Sequence, residues 1–166
     1  MSNKINIIDS EIVNKNIEKG NVLLGTTNDE YDPNFMTIGW GFTGTIWSGP
    51  VFIALVRPSR YSFKNLEKNP HFTINILNEK KNSRILEICG SKSFYSVNKI
   101  KKYNIDYNLT KNKIPFHPES IISFECKVIY KQLLEKSNFC TETKNKWYPK
   151  NDIHWQFYGK IVNRLL

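Results

Sequence analysis

The sequence predicts a mainly β fold, an antiparallel barrel with a few short flanking helices. Three observations predict it: short apolar or alternating segments recur, turn-forming residues separate most of them, and helical spacing is confined to brief stretches. Strands joined by hairpins at this spacing are typical of a closed antiparallel barrel. The chain has 166 residues, which fits a single domain over residues 1–166, with residues 1–20 as a weakly apolar lead-in or helix.

A hairpin is predicted first. Residues 21–27 form its first strand, and the turn-forming residues 28–33 reverse the chain into a second strand over residues 34–42. Gly39 and Gly41 lie in that second strand, where side chains would crowd whatever lies against the backbone. The second strand is therefore predicted to approach a flat apolar ligand closely.

The next segment joins an apolar strand to a helix through polar residues. Residues 43–50 contain two glycines and a proline and are predicted to form a loop that carries Trp47. A strand over residues 51–56 then ends in Arg57-Pro-Ser-Arg-Tyr-Ser62, and helical spacing follows over residues 63–69. Guanidinium groups and hydroxyls bind phosphate oxygens, and a helix N-terminus favours negative charge. This segment therefore predicts an anion site.

The following elements alternate between strand and helix. Pro70 ends the helix, and residues 71–77 alternate as a strand with three inward side chains, those of Phe72, Ile74 and Ile76. Helices are predicted over residues 83–90, with Ser83 as the cap and Gly90 as the stop, and over residues 94–103.

The C-terminal part is predicted to complete the sheet. A long strand over residues 121–134 follows a proline-marked connection and has four side chains on one face, those of Phe124, Cys126, Val128 and Tyr130. Residues 135–151 are predicted to form an exposed excursion that could hold a hairpin. Residues 153–162 are the closing strand.

Composition excludes several classes of protein. Hydrophobic residues make up 40% of the chain and aromatic residues 13%, which indicates an ordered protein. No apolar run of about twenty residues could span a bilayer, and the N-terminus lacks the apolar region of a secretion signal, so a cytoplasmic protein is expected. The cysteines share no C-x-x-C spacing, which favours reduced thiols in or near the core. The histidines are far apart in the sequence, so no metal site is predicted.

The net charge of +9 favours an anionic partner, and nucleic acid competes here with a phosphorylated cofactor. The lysines are scattered among asparagines, as on a solvated surface, and the aromatic residues lie mostly in apolar strand positions. Nucleic acid is therefore disfavoured, and the charge suits capture of FMN or a pyridine nucleotide.

One run of residues carries a family resemblance. Residues 34–77, NFMTIGWGFTGTIWSGPVFIALVRPSRYSFKNLEKNPHFTINIL, resemble the flavin reductase-like family of FMN-binding split barrels, which includes flavoredoxin. The resemblance extends from about Gly20 to about Gly90 and returns weakly at the C-terminus. It implies a six-stranded antiparallel Greek-key split β-barrel, bound FMN and a homodimer. It also implies that NADH or NADPH donates electrons, which pass through FMN to a small molecule or a redox protein.

The resemblance implies a set of ring-binding residues. In the family, the segment that matches residues 34–40 lies along the isoalloxazine ring, which carries over to Asn34, Met36, Thr37 and Trp40. Main-chain N–H groups near Thr37 would bond the ring edge and tune its potential. On pattern alone, the alternative is an ordinary core strand with Met36, Ile38 and Trp40 packed inward.

The resemblance also assigns the anion site to the FMN phosphate, with Ser59, Arg60 and Ser62 as the first candidates and Arg57 next. Tyr61 is expected to pack against the ring or the ribityl chain. The alternative for this segment is a surface loop with two solvated arginines.

Two further regions complete the predicted site. His154 precedes a G-x-I-V run that matches the family's last strand. This match implies that His154 faces the pocket and holds substrate or charge. The alternative is a histidine that is hydrogen-bonded in the core or at an interface. After Cys89-Gly90, relatives carry an S-G-R-D-x-D-K run, and this chain has SKSFYSVNK over residues 91–99. Lys92, Ser93 and Lys99 are the replacements for the missing Arg and Asp.

The predicted function is that of an NAD(P)H-dependent FMN oxidoreductase. Hydride passes directly between stacked rings, so no acid–base pair is required of the protein, although His154 is the catalytic candidate. Two alternatives stay open: a basic barrel that binds single-stranded nucleic acid, and a protein that holds FMN without NAD(P)H turnover.

Overall fold

The structure is a computed structural model that describes residues 7–166, with side chains from Ser10 onward. The strands in this range are β1 (Val22–Thr27), β2 (Pro33–Ile38), β3 (Gly41–Ile46), β4 (Gly49–Val56), β5 (His71–Ile76), β6 (Asn108–Leu109), β7 (Pro115–Phe116), β8 (Ile122–Leu133) and β9 (Trp155–Arg164). The helices are α1 (Ile7–Glu18), α2 (Tyr61–Lys68), α3 (Glu79–Ser91), α4 (Lys99–Tyr103) and α5 (Thr141–Trp147).

Seven strands form one antiparallel sheet in the order β2-β1-β5-β8-β9-β4-β3. The edge strands β2 and β3 are consecutive in the chain, with Gly39 and Trp40 between them. The backbone N–H of Leu55 donates to the carbonyl oxygen of Trp40 at 3.3 Å, which extends the pairing of β3 with β4 by one residue, and the two-residue connection holds the two edges of the sheet close together. The sheet therefore curls into a barrel that is split between β2 and β3. The predicted fold class is confirmed, with seven strands in the main sheet where six were predicted.

The extra strand arises where one long strand and a loop were predicted. The chain breaks at Gly39 and Trp40, and residues 43–50, predicted as a loop, belong mostly to a hairpin of β3 and β4. Trp47 and Ser48 form its two-residue turn with φ angles of 48° and 59°, a conformation that matches the twist of the flanking strands. Glycine and proline usually indicate a loop, but an edge hairpin tolerates both.

The helix predicted over residues 83–90 corresponds to the part of α3 that follows a kink at Asn82, where φ is −122° and ψ is 16°. α3 starts four residues before Ser83, because the side chain of Asn78 accepts a hydrogen bond of 3.1 Å from the N–H of Lys80 and caps the helix there. At the other end the helix continues through Gly90 to Ser91.

The second predicted helix, over residues 94–103, is shorter than expected. Asn98 caps α4 by accepting a hydrogen bond of 3.1 Å from the N–H of Lys101, so the helix begins only at Lys99. Before it, Ser93 accepts a hydrogen bond of 3.3 Å from the N–H of Tyr95. These local side-chain bonds compete with helix formation and hold the chain in a turn.

β8 departs from a regular strand, because register shifts occur between Glu125 and Cys126 and between Val128 and Tyr130. The predicted common face is therefore broken: Cys126 is buried, but Tyr130 is 43% exposed. The excursion after β8 does not contain the hairpin that the sequence allowed there. It forms a short 3₁₀ helix over Lys136–Asn138 and then α5.

The barrel core is apolar, and four of its largest fully buried side chains are phenylalanines, those of Phe52, Phe72, Phe124 and Phe157. The predicted inward residues of β5 are confirmed, since Phe72, Ile74 and Ile76 are each 0% exposed. α1 lies within the predicted lead-in and buries Val13 and Ile17 in the same core; residues 1–6 lie outside the described range.

All three cysteines are free thiols. Cys89 and Cys126 are buried as predicted, but Cys140 is exposed just before α5, outside the core. In the described part of the chain, no helix is long and apolar enough to cross a membrane.

Candidate functional site

A polar cavity opens where the edge strand β2, the first turn of α2 and the end of α3 meet. It encloses about 90 Å³, and we call it the polar cavity. It is lined by Asn34, Met36, Thr37, Arg60, Tyr61, Ser62, Cys89, Gly90, Ser91, Lys92, Ser93, Phe94 and Lys99. Because β2 is an edge strand, alternate N–H and C=O groups of its backbone point away from β1 and are available to a ligand.

The wall of this cavity contains one bonded pair from two elements. The side-chain amide of Asn34 donates a hydrogen bond of 2.9 Å to the hydroxyl of Ser62, and both residues are 1% exposed. The other side-chain atom of Asn34, Oδ1, is buried without a partner. A buried acceptor of this kind is costly unless a ligand donates to it, so the wall is suited to a ligand with hydroxyl or N–H groups.

The cavity is basic. Three cationic side chains, Arg60, Lys92 and Lys99, and no acidic one are among the described residues that line it. Lys99 is 2% exposed, and its ammonium group donates to the carbonyl oxygen of Lys92 at 2.8 Å and to that of Cys89 at 3.4 Å. Burial lowers the pKa of Lys99, and the nearby Arg60 lowers it further. An anion in the cavity would offset this repulsion.

The first turn of α2 adds backbone donors. Its N-cap residue, Arg60, makes no side-chain cap hydrogen bond. The N–H of Phe63 donates to the carbonyl oxygen of Arg60 at 3.0 Å, and the N–H groups of Tyr61 and Ser62 receive no cap from that side chain. Tyr61 and Ser62, the first two residues of the helix, line the cavity. The backbone dipoles of this turn favour an anion.

A second cavity of about 190 Å³ adjoins the first and shares Met36, Thr37 and Arg60 with it. We call it the aromatic cavity. Its lining consists of Met36, Thr37, Ile38, Gly39, Trp40, Leu55, Val56, Arg57, Arg60 and His154. A Cβ at Gly39 would meet nothing within 4 Å, so the cavity stays open over the strand junction. Thr37 turns its hydroxyl to the carbonyl oxygen of Leu86 at 2.6 Å, which fixes α3 against β2.

His154 lies on the wall of the aromatic cavity and is 7% exposed. Its ring centroid is 4.6 Å from that of Trp40, and its Nδ1 is hydrogen-bonded to the Tyr148 hydroxyl at 2.9 Å. Burial, and then the neighbouring Arg57, lower the pKa of His154 to about 4. His154 is therefore neutral at physiological pH and can accept or donate a hydrogen bond.

Arg57 is held by the excursion after β8. Its guanidinium donates to the carbonyl oxygens of Asp152 at 2.9 Å and Trp147 at 3.1 Å. The same group lies 5.9 Å from the ring of Trp40 and 5.3 Å from that of Tyr148. The excursion thus fixes a positive charge at the aromatic cavity.

Besides Lys99, eleven of the twelve predicted site residues line one or both cavities. They are Asn34, Met36, Thr37, Trp40, Arg57, Arg60, Tyr61, Ser62, Lys92, Ser93 and His154. Ser59 lines neither, because its hydroxyl donates to the carboxylate of Asp152 at 2.5 Å. Arg57 borders the aromatic cavity instead of the polar one, so two of the predicted phosphate residues are engaged by Asp152.

Sequence reasoning missed several contributors. Cys89 and Phe94 line the polar cavity, and Trp147 and Tyr148 support Trp40 through ring contacts of 5.0 and 6.4 Å. Lys99 was considered only as a replacement for a missing arginine. Its position after a turn, beside an asparagine cap, was the available signal.

Two larger cavities lie elsewhere. One of about 580 Å³ lies among the loops around Asn28, Pro70 and Asn112, and one of about 450 Å³ lies beside α4. The first is a surface depression between loops, and the second lies between α4 and the segment that leads into β2. The polar and aromatic cavities are smaller but combine unsatisfied donors and acceptors, cations and ring surfaces, so we take them as the site.

The chain was compared with protein-family models, curated protein sequences and solved structures. Residues 16–165 match the family model described as flavin reductase like domain. No curated protein sequence matches the chain at a significant level.

Solved structures with the same fold include the flavoredoxin of Methanosarcina acetivorans, with a TM-score of 0.67 and 21% identity over 87% of this chain and 66% of that one. The FMN-binding protein of Thermus thermophilus with bound 1-cyclohex-2-enone has a TM-score of 0.68 and 19% identity over 87% of this chain and 68% of that one. The NADH:FAD oxidoreductase of Streptomyces globisporus C-1027 has a TM-score of 0.64 and 16% identity over 87% of this chain and 73% of that one. The match to the flavoredoxin thus spans just under two thirds of that protein's length.

Proposed function

This chain belongs to the flavin reductase-like domain family, and we propose that it is an FMN-binding oxidoreductase of the flavin reductase or flavoredoxin type. In this proposal NADH or NADPH supplies a hydride, and a small molecule or a redox protein accepts the electrons. We also propose that the whole chain forms one flavin-binding domain that works in the cytoplasm.

The observation that carries the proposal is the junction of a basic polar cavity with an aromatic cavity along one edge strand. FMN has the same two parts, an anionic phosphate on a hydroxyl-rich chain and a flat ring. The residues fit this group: the unpartnered Oδ1 of Asn34 can accept from a ribityl hydroxyl, and the cations of the polar cavity can neutralise the phosphate. Both cavities open to the surface, so a ligand as large as FMN would extend beyond them.

Arg60, Ser62, Lys92, Ser93 and Lys99 would hold the phosphate. Arg60 is exposed and borders both cavities, so its guanidinium is free to reach an anion in either. Ser62 is buried in the first turn of α2, where its N–H and hydroxyl can act together. The same turn supplies the favourable end of the helix dipole.

Met36, Thr37 and Trp40 would hold the ring, with backbone groups of β2 along its edge. Bound FMN supplies the redox chemistry, since it accepts a hydride and releases electrons singly or in pairs. The protein's own contribution is to hold the ring beside a neutral His154 and a fixed Arg57. A neutral His154 bonded to Tyr148 can position a substrate carbonyl or amide through a hydrogen bond.

A homodimer is part of the proposal. The exposed side of the barrel carries three touching rings, those of Trp47, Tyr130 and Tyr158, with centroid distances of 6.0, 6.4 and 5.1 Å. Trp47 is 64% exposed and Tyr130 43% exposed. We call these three residues the Trp47 patch. Exposed aromatic clusters of this kind are typical of interfaces, and a second copy of the chain is the proposed occupant.

The visible spectrum of the purified protein tests the proposal, recorded before and after anaerobic addition of NADH or NADPH. We expect an oxidised-flavin spectrum that bleaches with one or both donors. A yellow protein that does not bleach would hold FMN without turnover and would contradict the oxidoreductase proposal. A colourless protein that takes up no added flavin and binds oligonucleotides in a salt-dependent manner would overturn both.

A further inference from the structure

An aromatic cluster stands at the rim of the polar cavity, and only Tyr61 among its residues was predicted to contact the flavin. The rings of Tyr61 and Phe94, which both line the cavity, are stacked with centroids 4.6 Å apart and an interplanar angle of 20°. Tyr95 meets Tyr61 edge-on at 5.0 Å and 85°. We call these three residues the rim cluster.

The rim cluster leaves ring surface open. Tyr95 is 61% exposed, one of the most exposed large hydrophobic side chains in the described part of the chain. Tyr61 and Phe94 are half-buried, with the cavity on one side. Folding buries little of the Tyr95 ring, so most of its apolar surface is available for contact with a ligand.

The backbone holds the cluster in place. Ser93 accepts a hydrogen bond of 3.3 Å from the N–H of Tyr95 through its side chain, and its carbonyl oxygen accepts from the N–H groups of Ser96 and Val97 at 3.1 Å each. Such a turn presents the rings with little freedom. A ligand that stacks on them would therefore cost less conformational entropy than one that orders a mobile loop.

Cations surround the rings. Lys64 lies 5.7 Å from the ring centroid of Tyr61, and Lys92 is exposed two residues before Phe94 on the cavity wall. A ligand that joins a flat base to phosphate would satisfy both features. Its base would stack on the rim cluster, and its phosphate would lie toward the basic lining of the polar cavity.

We propose that the rim cluster is a stacking subsite for the adenine of an adenosine phosphate. Two molecules carry that group here: FAD, whose adenosine half continues from the flavin phosphate, and NADH or NADPH, whose adenosine half is remote from the reacting ring. The inference rests on the proposed function, because it takes the polar cavity as the flavin phosphate site.

AMP is the direct probe, since it holds the adenosine phosphate and no redox ring. Its binding to flavin-free protein is measured by calorimetry for the wild type, Tyr95→Ala, Tyr95→Phe and the control Tyr107→Ala, an exposed tyrosine near β6. We expect Tyr95→Ala to weaken AMP binding about tenfold, within the range of base–aromatic stacking. Tyr95→Phe and Tyr107→Ala should bind like the wild type, and all four proteins should melt at similar temperatures.

Two further measurements distinguish the sources of the adenosine. A fall in FAD affinity in Tyr95→Ala, with FMN affinity unchanged, assigns the subsite to FAD. A fall in NADH affinity of the FMN-loaded protein, with reduced nicotinamide mononucleotide unaffected, assigns it to the nicotinamide dinucleotide.

The inference is overturned if AMP fails to bind the wild type at millimolar concentration, or if it binds Tyr95→Ala equally well. These outcomes differ from failure of the proposed function, in which neither FMN nor FAD binds the wild-type protein.

Discussion

The side-chain amide of Asn34 donates to the hydroxyl of Ser62 across 2.9 Å, which joins the edge strand β2 to the first turn of α2 beside the polar cavity. The two residues are 28 positions apart in the chain and both almost fully buried. The bond aligns the two segments that sequence analysis had assigned to the ring and the phosphate. It therefore ties the two halves of the candidate flavin site together.

A double-mutant cycle tests this link. Asn34→Ala and Ser62→Ala should each lower FMN affinity about tenfold, because each leaves a buried partner unpaired or removes a ligand contact. The double variant should lose less than the sum of the two single losses, since the residues act as a unit. FMN affinity is measured by quenching of flavin fluorescence. Strictly additive losses would show that the two residues bind FMN independently.

The phosphate assignment predicts a difference between two flavins. Arg60→Ala should weaken FMN binding about tenfold and leave riboflavin binding unchanged, because riboflavin lacks the phosphate that a guanidinium would bind. The matched control is Arg84→Ala, which removes an exposed arginine from α3 outside both cavities. Titrations at low and high salt should show that the loss shrinks as salt rises. Equal weakening of FMN and riboflavin would contradict a phosphate contact.

Acid should destabilise the fold through His154. Its pKa is about 4 in the folded protein and about 6.5 when unfolded, so the fold favours the neutral ring. The stabilisation is complete above pH 6.5 and is lost as pH falls toward 4. Between pH 7.5 and 4.5 the loss from this group is about 2 to 3 kcal/mol in the free energy of unfolding.

The check is urea unfolding at pH 7.5 and 4.5 for the wild type and His154→Phe, which keeps a ring beside Trp40 but cannot titrate. The wild type should lose about 2 to 3 kcal/mol more than the variant between the two pH values. Burial also lowers the pKa of His117, so some loss should remain in both proteins. The same loss in wild type and variant would show that His154 does not carry the effect.

The fold was predictable where burial follows a simple period. In β5, alternate residues are apolar and face the barrel core, so Phe72, Ile74 and Ile76 were placed correctly. The break at Gly39 and Trp40 was not predictable, because it marks a change of pairing partner, from β1 before the break to β4 after it, which no local pattern records.

The site was predictable where its residues lie in short continuous runs, as in residues 34–40 and 57–62. It was not predictable where distant segments meet. Ser59 is bonded to Asp152, which is 93 residues away in the chain, and Lys99 reaches the cavity only because a turn precedes α4. Such contacts are set by packing of the whole chain: the local sequence carries no sign of the Ser59 bond, and for Lys99 it shows only the asparagine cap beside it.

The proposed homodimer predicts a change in molecular mass. Tyr130→Glu should give a monomer, because a carboxylate in the centre of the Trp47 patch would be buried without a partner in the dimer. Sedimentation equilibrium measures the mass. Exchange of an exposed tyrosine elsewhere, in Tyr107→Glu, is the control and should leave the dimer intact. A wild-type monomer at high micromolar concentration would refute this part of the proposal.

Gly159 lies in β9 opposite Phe52, at a point where the barrel core leaves no room for a side chain. A Cβ at this position would lie 2.6 Å from Cε1 of Phe72 and 2.7 Å from the Cβ of Cys126. Both neighbours are fully buried, so neither can move into solvent. Gly159→Ala should therefore lower the free energy of unfolding by about 1 to 3 kcal/mol, the usual cost of overpacking.

The control is Gly44→Ala in the edge strand β3, where a Cβ would meet nothing within 4 Å. This variant should be as stable as the wild type or slightly more stable, because alanine restricts the unfolded chain. Urea unfolding of the two variants measures the difference, and equal stabilities would show that the barrel interior at Gly159 relaxes more easily than its contacts predict.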